Sequence, residues 1–408
     1  MNSDPSFISP QIHRIEILSL EQAEKEMAQI GTHPEGIRIM APKAVFRPIK
    51  IYALSPYQAN ILKQEMLSIG GEAATSKGCV DCSCVQTDVI LLGALAHYER
   101  LIEKLNRQPP SFKILAEKIR RIAQIPGGRT PFPWKLPDRM LFPGEKTLIM
   151  GILNVTPDSF SDGGKYLSPD AAFDHALRLV EEGADIIDIG GESSRPGSNP
   201  ISADEEMRRV LPVLEKLRGK ISIPISVDTW KSEVARKAIE KGAEIVNDIT
   251  ALSGDPAMAH LCAEKKVGVV LMHMKGTPGT MQNAPEYKDV VGEVSGFFLK
   301  QLEKAESAGI HRDSIVLDPG IGFGKLLEHN LMLLRNLSLF RDLYQRPVLV
   351  GISRKRFIGD LTGAPVEARL PGTLAAAVMS EQRGASIIRV HEVAACRVAL
   401  KVGTALGV

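Results

Sequence analysis

The sequence lacks the features of a membrane-spanning or secreted protein. No apolar run in its 408 residues approaches the roughly 20 residues that span a bilayer. The N-terminus has no basic segment followed by an apolar core, so we expect no signal peptide and a cytoplasmic location. The formal net charge of +2 argues against non-specific binding of the whole surface to nucleic acid or to membranes.

Cysteine is also scarce, with five residues in the chain. An odd count in a large chain without a secretion signal does not favour a disulfide framework. Cys79, Cys82 and Cys84 cluster, whereas Cys262 and Cys396 stand alone in predicted helices. We interpret the cluster as part of a strand with small, half-buried side chains. A metal site is the alternative, although a fourth ligand at a suitable spacing is missing.

Eight short apolar, β-branched runs follow one another from Thr147 onward. They read TLIMGILNV, ADIIDIGGE, PISVDT, EIVNDIT, GVVLMH, SIVLDPG, PVLVGISRK and ASIIRVHE. Such runs, separated by predicted helices, are typical of parallel strands covered on both faces. The pattern predicts an α/β fold, a (β/α)8 TIM barrel over residues 147–408, with its active site at the C-terminal ends of the strands. The polar residues at those ends are Asn154, Glu192 with Arg195, Asp228, Asn247, His273, Asp318, Lys355, and Arg389 with His391.

A barrel of roughly 250 residues leaves room for a second domain in front of it. Residues 125–146 are rich in proline and glycine, which predicts a linker. Residues 1–124 mix strand-like runs, HRIEILSL and IRIMAPKAVFRPIKIYAL among them, with helical stretches. We therefore expect a small α+β domain there. It contains no catalytic constellation, and its role stays unassigned.

Serines mark the starts of several predicted helices. A hydroxyl at that position can accept a bond from a backbone N–H of the first turn, which otherwise has no partner in the helix. The serines are Ser19, Ser55, Ser168 and Ser202, and Thr229 and Ser232 are the candidates for the helix after the SVDT motif.

Several long motifs in the barrel half occur together in one order. They read NVTPDSFSDGG, GGESSRPG, SVDT, VNDI, LMHMKGTPGTMQ, DPGIGFGK, SRK and RVH. On these motifs, residues 147–408 closely resemble the dihydropteroate synthase family. The resemblance implies condensation of 6-hydroxymethyl-7,8-dihydropterin pyrophosphate with p-aminobenzoate, which gives 7,8-dihydropteroate and pyrophosphate. The N-terminal module resembles, loosely, an extension that some members of the family carry.

The resemblance also implies a pterin pocket. A pterin presents ring N–H and amine donors along a flat edge, and a carboxylate can accept two such bonds in parallel. Asp318 matches the family's residue for that task, and Asn247 completes the recognition of the edge. Asp228 matches a second carboxylate of the pocket, Met272 an apolar wall, and Lys355 a contact with the ring.

The other substrate groups have matching positions. Arg195, Arg389 and His391 match the pyrophosphate site, where guanidinium groups suit phosphate oxygens. Asn154 matches a pyrophosphate-side ligand of Mg²⁺, the one expected cofactor, which prefers oxygen ligands and keeps several waters. The residues matching the p-aminobenzoate pocket are Ser194, Pro196, Phe323 and Lys355.

The implied mechanism is dissociative, so that pyrophosphate leaves before the amine attacks. Negative charge from Asp228 and Asp162 would stabilise the transiently cationic methylene carbon. No activated serine or cysteine nucleophile is required. The residues implied to take part in the reaction itself are Asp228, Asp162, Lys355, Arg389 and His391.

Two residues depart from the family pattern. Ser194 stands where threonine is usual, which removes a methyl group from the p-aminobenzoate pocket and is expected to loosen it modestly. Glu392 stands where aspartate commonly follows the RVH histidine, and we place it outside direct contact with the substrates. We interpret His273 as a structural histidine and Arg354 as a loop residue held by an ion pair. Lys325 either covers the site or faces solvent.

Two other functions were weighed against the synthase. A methyltetrahydrofolate methyltransferase that serves a corrinoid protein shares a carboxylate–amide pterin pocket, but it needs no pyrophosphate site. A non-catalytic paralogue would tend to lose residues from the first two barrel loops, and Asn154, Asp162, Ser194 and Arg195 are present. The resemblance further suggests a homodimer through the barrel helices. It leaves open a close analogue of p-aminobenzoate as the acceptor.

Overall fold

A computed structural model of the chain describes residues 12–81, 83–124, 131–156, 168–193, 198–277, 279, 281 and 285–406. The chain divides into two compact units, with the boundary between Gly128 and Arg129. The first is the expected small α+β unit and the second is the expected barrel. Within the described residues, none of the helices combines the length and apolarity required to cross a bilayer.

The first unit packs helices against a three-stranded antiparallel sheet of order β1-β3-β2. Its strands are β1 (Ile49–Leu54), β2 (Glu72–Thr75) and β3 (Thr87–Leu92). Its helices are α1 (Leu20–Gln29), α2 (Pro34–Ala44), α3 (Pro56–Ser68), α4 (Leu95–Leu105) and α5 (Pro110–Gln124). Leu62, Leu91, Tyr98, Leu101 and Phe112 form the centre of its core.

Two strand predictions in this unit are wrong. The segment IRIMAPKA lies in helix α2, and only the later residues Ile49–Leu54 form a strand. Ile37, Ala41 and Val45 are spaced by four and meet Ala23 of α1, so the local apolar period is helical. The run HRIEILSL has no regular structure before helix α1 begins at Leu20.

The described cysteines of the N-terminal cluster do not lie in a strand either. Cys79 ends a short 3₁₀ turn, and Cys84 lies in the loop before β3. The hydroxyl of Ser76 is 3.4 Å from the Cys79 sulfur and 3.6 Å from the Cys84 sulfur. Glycine at position 78 permits this turn, because a Cβ there would lie 2.7 Å from the Ser83 hydroxyl. Cys82 lies outside the described residues.

The second unit begins with a hairpin of β4 (Trp134–Lys135) and β5 (Met140–Leu141) and continues as eight parallel strands. These are β6 (Leu148–Asn154), β7 (Ile186–Gly190), β8 (Ile225–Asp228), β9 (Ile245–Asp248), β10 (Gly268–Met272), β11 (Ile315–Asp318), β12 (Leu349–Gly351) and β13 (Ile387–Val390). The order β11-β10-β9-β8-β7-β6-β13-β12 closes through a parallel bridge from Leu317 to Val348. The predicted TIM barrel is therefore confirmed.

Helices surround the strands and bury one face of each against the barrel. They are α6 (Pro169–Glu181), α7 (Ala203–Leu217), α8 (Ser232–Glu240), α9 (Met258–Lys265), α10 (Val290–Ser307), α11 (Leu327–Arg335), α12 (Leu337–Tyr344), α13 (Arg356–Thr362), α14 (Leu370–Gln382) and α15 (Val393–Leu406). The predicted caps at Ser19, Ser55, Ser168 and Ser202 are confirmed, since each hydroxyl accepts a backbone N–H three residues later. The predicted caps at Thr229 and Ser232 are wrong, because α8 follows Lys231 and has no side-chain cap.

The N-terminal end of the barrel is an apolar layer. Alternate residues of the strands point inward, so one residue from most strands contributes to each layer. The hairpin covers this layer, and the fully buried Trp134 donates its indole N–H to the Ser314 carbonyl at 3.1 Å. The segment expected to be a linker over 125–146 thus belongs, from Arg129 onward, to the barrel unit. The layer comprises Trp134, Leu136, Leu148, Met150, Ile186, Ile245, Val270, Val316, Leu349 and Ile387.

The same strand faces become polar two residues further along. Val316 of β11 gives way to Asp318, Ile387 of β13 to Arg389, and Ile245 of β9 to Asn247. Because all eight strands are parallel, these polar side chains converge at one end of the barrel. This end is the candidate site.

Candidate active site

Nine of the predicted site residues are described, and they lie at or just beyond the C-terminal ends of strands. They are Asn154, Asp228, Asn247, Met272, Asp318, Phe323, Lys355, Arg389 and His391. Asp162, Ser194, Arg195 and Pro196 lie outside the described residues. The barrel thus brings together the described residues of the predicted pterin and pyrophosphate sites at one of its ends.

Arg389 links two carboxylates across the barrel interior. Its Nε donates to Asp188 Oδ2 at 2.6 Å, and its Nη2 donates to Asp228 Oδ2 at 2.6 Å. Asn247 Nδ2 donates to the same Asp188 oxygen at 3.1 Å. These residues lie on β13, β7, β8 and β9. Asp188 therefore contacts side chains across the barrel interior, beyond the strands paired with β7. They form a single buried polar group.

The charges in this group shift one another's protonation. Burial raises the pKa of Asp228 to about 7; Arg389 opposes that rise, and Asp188 adds to it. Burial works against the charge of Arg389, but the carboxylates of Asp188 and Asp228 outweigh it and raise the pKa of the guanidinium. Arg389 therefore stays cationic in a pocket that also holds negative charge.

Asp318 lies at the end of β11 and is almost completely buried. Its Oδ1 accepts the Gly320 N–H at 2.7 Å, which orients the carboxylate at the start of the DPGIGFGK turn. Burial raises the pKa of Asp318, against the effect of the Lys355 ammonium. Met272, at the end of the neighbouring strand β10, is buried beside it and supplies an apolar surface.

Glycine is required in this turn. Gly320 has φ +66°, and a Cβ there would lie 1.9 Å from the carbonyl oxygen of His273. Gly324 has φ +62°, and a Cβ there would lie 2.3 Å from the carbonyl oxygen of Lys275. Both positions combine left-handed backbone with close backbone contact, which L side chains do not tolerate. The turn can therefore approach the end of β10 closely.

Lys355 reaches over this turn from the loop after β12. Its Nζ donates to the carbonyl of Ile321 and lies 4.4 Å from the centre of the Phe323 ring, a cation–π contact. Burial lowers the pKa of Lys355 to about 8, while Asp318 opposes that shift. Lys355 and Phe323, both matched to the p-aminobenzoate pocket, thus pack against each other beside Asp318.

Lys325 is buried beneath the turn and does not face solvent. Its Nζ lies 2.9 Å from His273 Nδ1, 3.2 Å from the His273 carbonyl oxygen and 2.9 Å from the Phe323 carbonyl oxygen. Burial and the lysine charge lower the pKa of His273 to about 3, so its ring is neutral and Nδ1 accepts. Burial also lowers the pKa of Lys325 to about 7. The pair ties the DPGIGFGK turn to the end of β10.

His391 and Asn154 meet at another part of the mouth. Asn154 Nδ2 lies 3.4 Å from His391 Nε2, and the Ser353 hydroxyl lies 2.9 Å from His391 Nδ1. Ser353 also donates to Glu392 Oε2 at 3.1 Å, and Glu392 receives Arg354 Nε at 2.5 Å. Glu392 therefore holds the SRK loop against the RVH segment.

Asn154 can contribute an oxygen ligand to a metal ion. A Cβ placed on Gly190 would lie 3.7 Å from Asn154 Oδ1 and 3.8 Å from Asp228 Oδ2, so glycine leaves a space faced by two oxygens. Hard oxygen donors of this kind suit Mg²⁺, which also binds water and substrate phosphates. The described residues hold no cluster of three or more histidine, cysteine or acidic side chains arranged for a metal. The donor set fits an ion bound mainly through a phosphorylated ligand.

A buried ion cluster stands behind the second barrel loop. Lys231 donates to Glu192 and lies 2.5 Å from Glu206 Oε2. Glu192 also accepts the Trp230 indole N–H at 3.3 Å and the Ile201 N–H at 3.3 Å. Glu192 and Ile201 flank residues 193–200. The cluster therefore fixes both ends of the segment that carries three predicted substrate-binding residues.

The sequence prediction missed Asp188 and Lys231. Asp188 interrupts the apolar run ADIIDIGGE, and a carboxylate inside a buried strand needs a partner. That interruption was a readable signal. Lys231 had no comparable signal, because a lysine after a strand is usually solvated.

Comparisons with known proteins agree with this geometry. Residues 150–391 match the family described as pterin binding enzyme. The dihydropteroate synthase of Escherichia coli (strain K12) is 50% identical over 245 residues, which are 60% of this chain and 86% of that protein. A solved dihydropteroate synthase from Xanthomonas albilineans, in complex with 7,8-dihydropteroate, is 45% identical with a TM-score of 0.61 and covers 67% of this chain and 98% of that chain.

A further relative extends into the first unit. The probable bifunctional folylpolyglutamate synthase/dihydropteroate synthase of Halobacterium salinarum is 38% identical over 387 residues. The match covers 93% of this chain and 46% of that protein. Because 93% exceeds the share of the barrel alone, that relative has a counterpart of much of the N-terminal unit.

Proposed function

This chain belongs to the pterin-binding enzyme family as a dihydropteroate synthase, and we propose that the polar mouth of its barrel joins the two substrates by a dissociative route. The bond between the pterin methylene carbon and the pyrophosphate oxygen breaks first, and the electron pair leaves with the pyrophosphate. The amine nitrogen of p-aminobenzoate then bonds to that carbon and loses one proton. The products are 7,8-dihydropteroate and pyrophosphate.

The observation that carries this proposal is the set of hydrogen-bond acceptors and the fixed guanidinium of Arg389 in a single pocket. Asp318 and Asn247 present oxygen acceptors to the donor-rich edge of a pterin. Arg389 lies between Asp188 and Asp228 with its charge maintained. Such a pocket can accept hydrogen bonds from a neutral ring on one side and place a guanidinium against an anion on the other. This suits a pterin with an anionic leaving group.

The roles of the anion-binding residues follow from their position. Arg389 and His391 would receive the pyrophosphate oxygens, and Arg195, outside the described residues, is proposed to join them. Asp228 faces the same space and would stabilise positive charge on the methylene carbon. Asp162, also outside the described residues, is proposed to add to that stabilisation.

Magnesium is proposed as the cofactor. Asn154 would hold it through Oδ1 in the space that Gly190 leaves open. When bound, the ion supplies Lewis-acid neutralisation of the phosphate charge. Asn154 and His391, whose side-chain nitrogens lie 3.4 Å apart, would orient the phosphate from one side.

The acceptor is proposed to be p-aminobenzoate, which would lie against Phe323 and Lys355. Ser194 and Pro196 are proposed to complete its pocket from the second barrel loop. Lys355 borders both substrates, since its ammonium is held between Ile321 and the Phe323 ring near Asp318. The retained Arg389, His391 and Lys355 support the synthase over methyl transfer or a non-catalytic role.

A homodimer and a cytoplasmic location complete the proposal. A partly apolar groove of about 330 Å³ lies between α11, α13 and α14 on the outside of the barrel and includes Leu331, Leu334, Leu361 and Met379. Such a surface is suited to pairing of two copies through these helices. Light scattering of the purified chain at several concentrations tests the dimer, and a single monomer mass throughout would contradict it.

The reaction is tested by measuring dihydropteroate formation from the pterin pyrophosphate and p-aminobenzoate, with and without magnesium. Asp318→Ala and Arg389→Ala are each expected to reduce product to background. Arg236→Ala is the matched control, because Arg236 makes only a long, exposed ion pair with Glu264 among the described residues. No product from folded wild-type protein that still binds pterin would contradict the synthase reaction.

A further inference from the structure

Asp188 is the most completely buried charged side chain of the mouth and has no role in the scheme above. Its side chain is 0% exposed, and it lies in the middle of β7, one layer below Asp228. Its Oδ2 accepts two bonds, from Arg389 Nε and Asn247 Nδ2. Its Oδ1 has no hydrogen-bond partner among the described residues. One oxygen thus serves two residues that would contact different parts of the substrate.

The bond to Asn247 decides which way that amide faces. An ionised carboxylate only accepts hydrogen bonds, so it must receive the NH₂ group and not the carbonyl oxygen of the asparagine. The carbonyl oxygen Oδ1 of Asn247 is left as an acceptor that no described residue uses. If the amide turned over, it would present a donor to the ligand and place its oxygen against the carboxylate. Asp188 therefore sets Asn247 to read donors.

The hydrogen bond to Arg389 determines which guanidinium nitrogens are paired within the protein. Asp188 occupies Nε and Asp228 occupies Nη2, and no described residue accepts from Nη1. The Asp188 contact is the more deeply buried of the two, since its side chain is 0% exposed and that of Asp228 is 14% exposed. Asp188 thus anchors the base of the fork and leaves Nη1 without an acceptor among the described residues.

We propose that Asp188 is a positioning residue that makes the pocket specific for a heterocycle with a donor edge and a neighbouring anionic leaving group. It does not touch the substrate; it acts through Asn247 and Arg389. The proposal rests on the synthase function above and adds the specificity of the pterin pocket to it. It predicts that loss of the acceptor at position 188 weakens pterin recognition and leaves p-aminobenzoate recognition in place.

Two substitutions that keep the same branched arrangement of side-chain heavy atoms separate the acceptor from simple packing. Asp188→Asn keeps an oxygen that can accept both bonds, whereas Asp188→Leu fills the space without any acceptor. Hydrogen bonds that involve charged groups contribute about 1.5–3 kcal/mol. We therefore expect Asp188→Leu to bind 6-hydroxymethylpterin at least about tenfold more weakly than wild type and Asp188→Asn to recover most of that loss. The Kd is measured by isothermal titration calorimetry.

Ser226→Ala is the matched control. Ser226 is the register neighbour of Asp188 on β8, is fully buried, and has no hydrogen-bond partner among the described residues. Its Kd for the pterin and its steady-state constants are expected to stay within about twofold of wild type. The KM for p-aminobenzoate is expected to stay within about threefold in every variant, a range of about 0.7 kcal/mol.

A double-mutant cycle with Asn247→Ala tests whether Asp188 affects pterin binding through Asn247. If Asp188 acts through Asn247, then Asp188→Leu weakens pterin binding less in the Asn247→Ala background than in wild type. Asp188→Ala replaces Asp188→Leu in the same cycle if the leucine variant does not fold.

Three outcomes would overturn the proposal. They are equal pterin affinities for the asparagine and leucine variants, additive effects in the cycle, and an equal rise in KM for both substrates. Because pterin binding is measured at equilibrium, it separates this proposal from the synthase reaction. A wild-type protein without turnover would sink the reaction, while the affinities of the variants would still decide the role of Asp188.

Discussion

The two ends of the barrel use the same eight strands for different purposes. At the N-terminal end, inward residues such as Val316 and Ile387 are apolar and are covered by the hairpin that carries Trp134. At the C-terminal end, two residues further along the same strands, Asp318 and Arg389 point inward. The apolar layer at the N-terminal end requires no hydrogen-bond partners, and its burial stabilises the fold.

The arrangement at the C-terminal end keeps charges where water is scarce, and its side chains are incompletely paired. Oδ1 of Asp188 has no hydrogen-bond partner among the described residues, and burial raises the pKa of Asp228 to about 7. An intact buried ion pair contributes little net stability compared with apolar packing, although removal of one partner leaves an uncompensated charge. The paired groups are instead preorganised for a charged, donor-rich substrate. Stability and chemistry are thus separable along a single strand, and substitutions at either end can test that separation.

The largest expected effect is that of Arg389→Met. It leaves the carboxylates of Asp188 and Asp228 without their cation, and the loss of one partner from a buried ion pair typically costs about 3–5 kcal/mol. The free energy of unfolding should fall by about that amount, and kcat/KM for the pterin pyrophosphate by a factor of about 10³ or more. Urea unfolding and initial rates measure the two effects.

Arg389→Lys serves as the comparison for that variant. One ammonium can approach a single carboxylate but cannot reproduce the fork. It should therefore recover part of the stability and little of the activity. Full activity in Arg389→Lys would contradict the role assigned to the guanidinium.

Trp134→Ala tests the opposite end. Removing this buried ring should lower the free energy of unfolding by about 3–5 kcal/mol, as large-to-small changes in cores do. The kcat/KM per folded molecule should stay within about twofold, since Trp134 contacts the apolar layer and the Ser314 carbonyl and not the mouth. Trp134→Phe retains the ring packing and is the milder control. Loss of activity in molecules that remain folded would show that the two ends are coupled.

Gly320→Ala affects the turn at the mouth. The φ of +66° and a Cβ only 1.9 Å from the His273 carbonyl oxygen force the backbone to move. Left-handed strain and displacement together should lower the free energy of unfolding by about 1–3 kcal/mol, and the KM for p-aminobenzoate should rise because Phe323 shifts. Gly296→Ala in α10, where a Cβ meets nothing within 4 Å, is the control and should be neutral or stabilising. Equal behaviour of the two alanine variants would refute this account.

The smallest effect at neutral pH is expected from His273→Asn, in which an amide oxygen can replace the Nδ1 acceptor for Lys325. In the folded protein the pKa of His273 is lowered to about 3, whereas an unperturbed histidine titrates near 6.5. Its contribution to stability is full above the unfolded pKa and is lost as the pH falls from about 6.5 to 3. The free energy of unfolding of the asparagine variant should therefore fall less steeply over that range. Parallel pH curves would contradict a buried, neutral histidine.

Much of this molecule could be predicted because its signals are local. The eight apolar runs and the serine caps each follow from a short stretch of sequence, and they fixed the barrel and the positions of the strand ends. Helix α2 was missed because the β-branched Ile37 and Ile39 alternate with Arg38 as in a strand, and only the packing of Ile37, Ala41 and Val45 on α1 reveals the helical period.

The pairing of charges could not be predicted in the same way. Asp188 meets Arg389 across the barrel, although 201 residues separate them, and this contact requires the strand order and register. Lys325 is buried because the glycines of its turn bring it under His273, which no period in the sequence indicates. The roles of Asp162, Ser194, Arg195 and Pro196 stay predictions, since these residues lie outside the described part of the chain.

The most direct test compares two neighbours on β11, Val316→Ala and Asp318→Asn, in one set of unfolding and rate measurements. Both residues point into the barrel, two positions apart, one into the apolar layer and one into the mouth. Val316→Ala should lower the unfolding midpoint and leave kcat/KM within about twofold, whereas Asp318→Asn should lower kcat/KM by about 10² or more without lowering the midpoint. If Val316→Ala lost as much activity as Asp318→Asn, or if Asp318→Asn remained active, the separation of the two ends would be wrong.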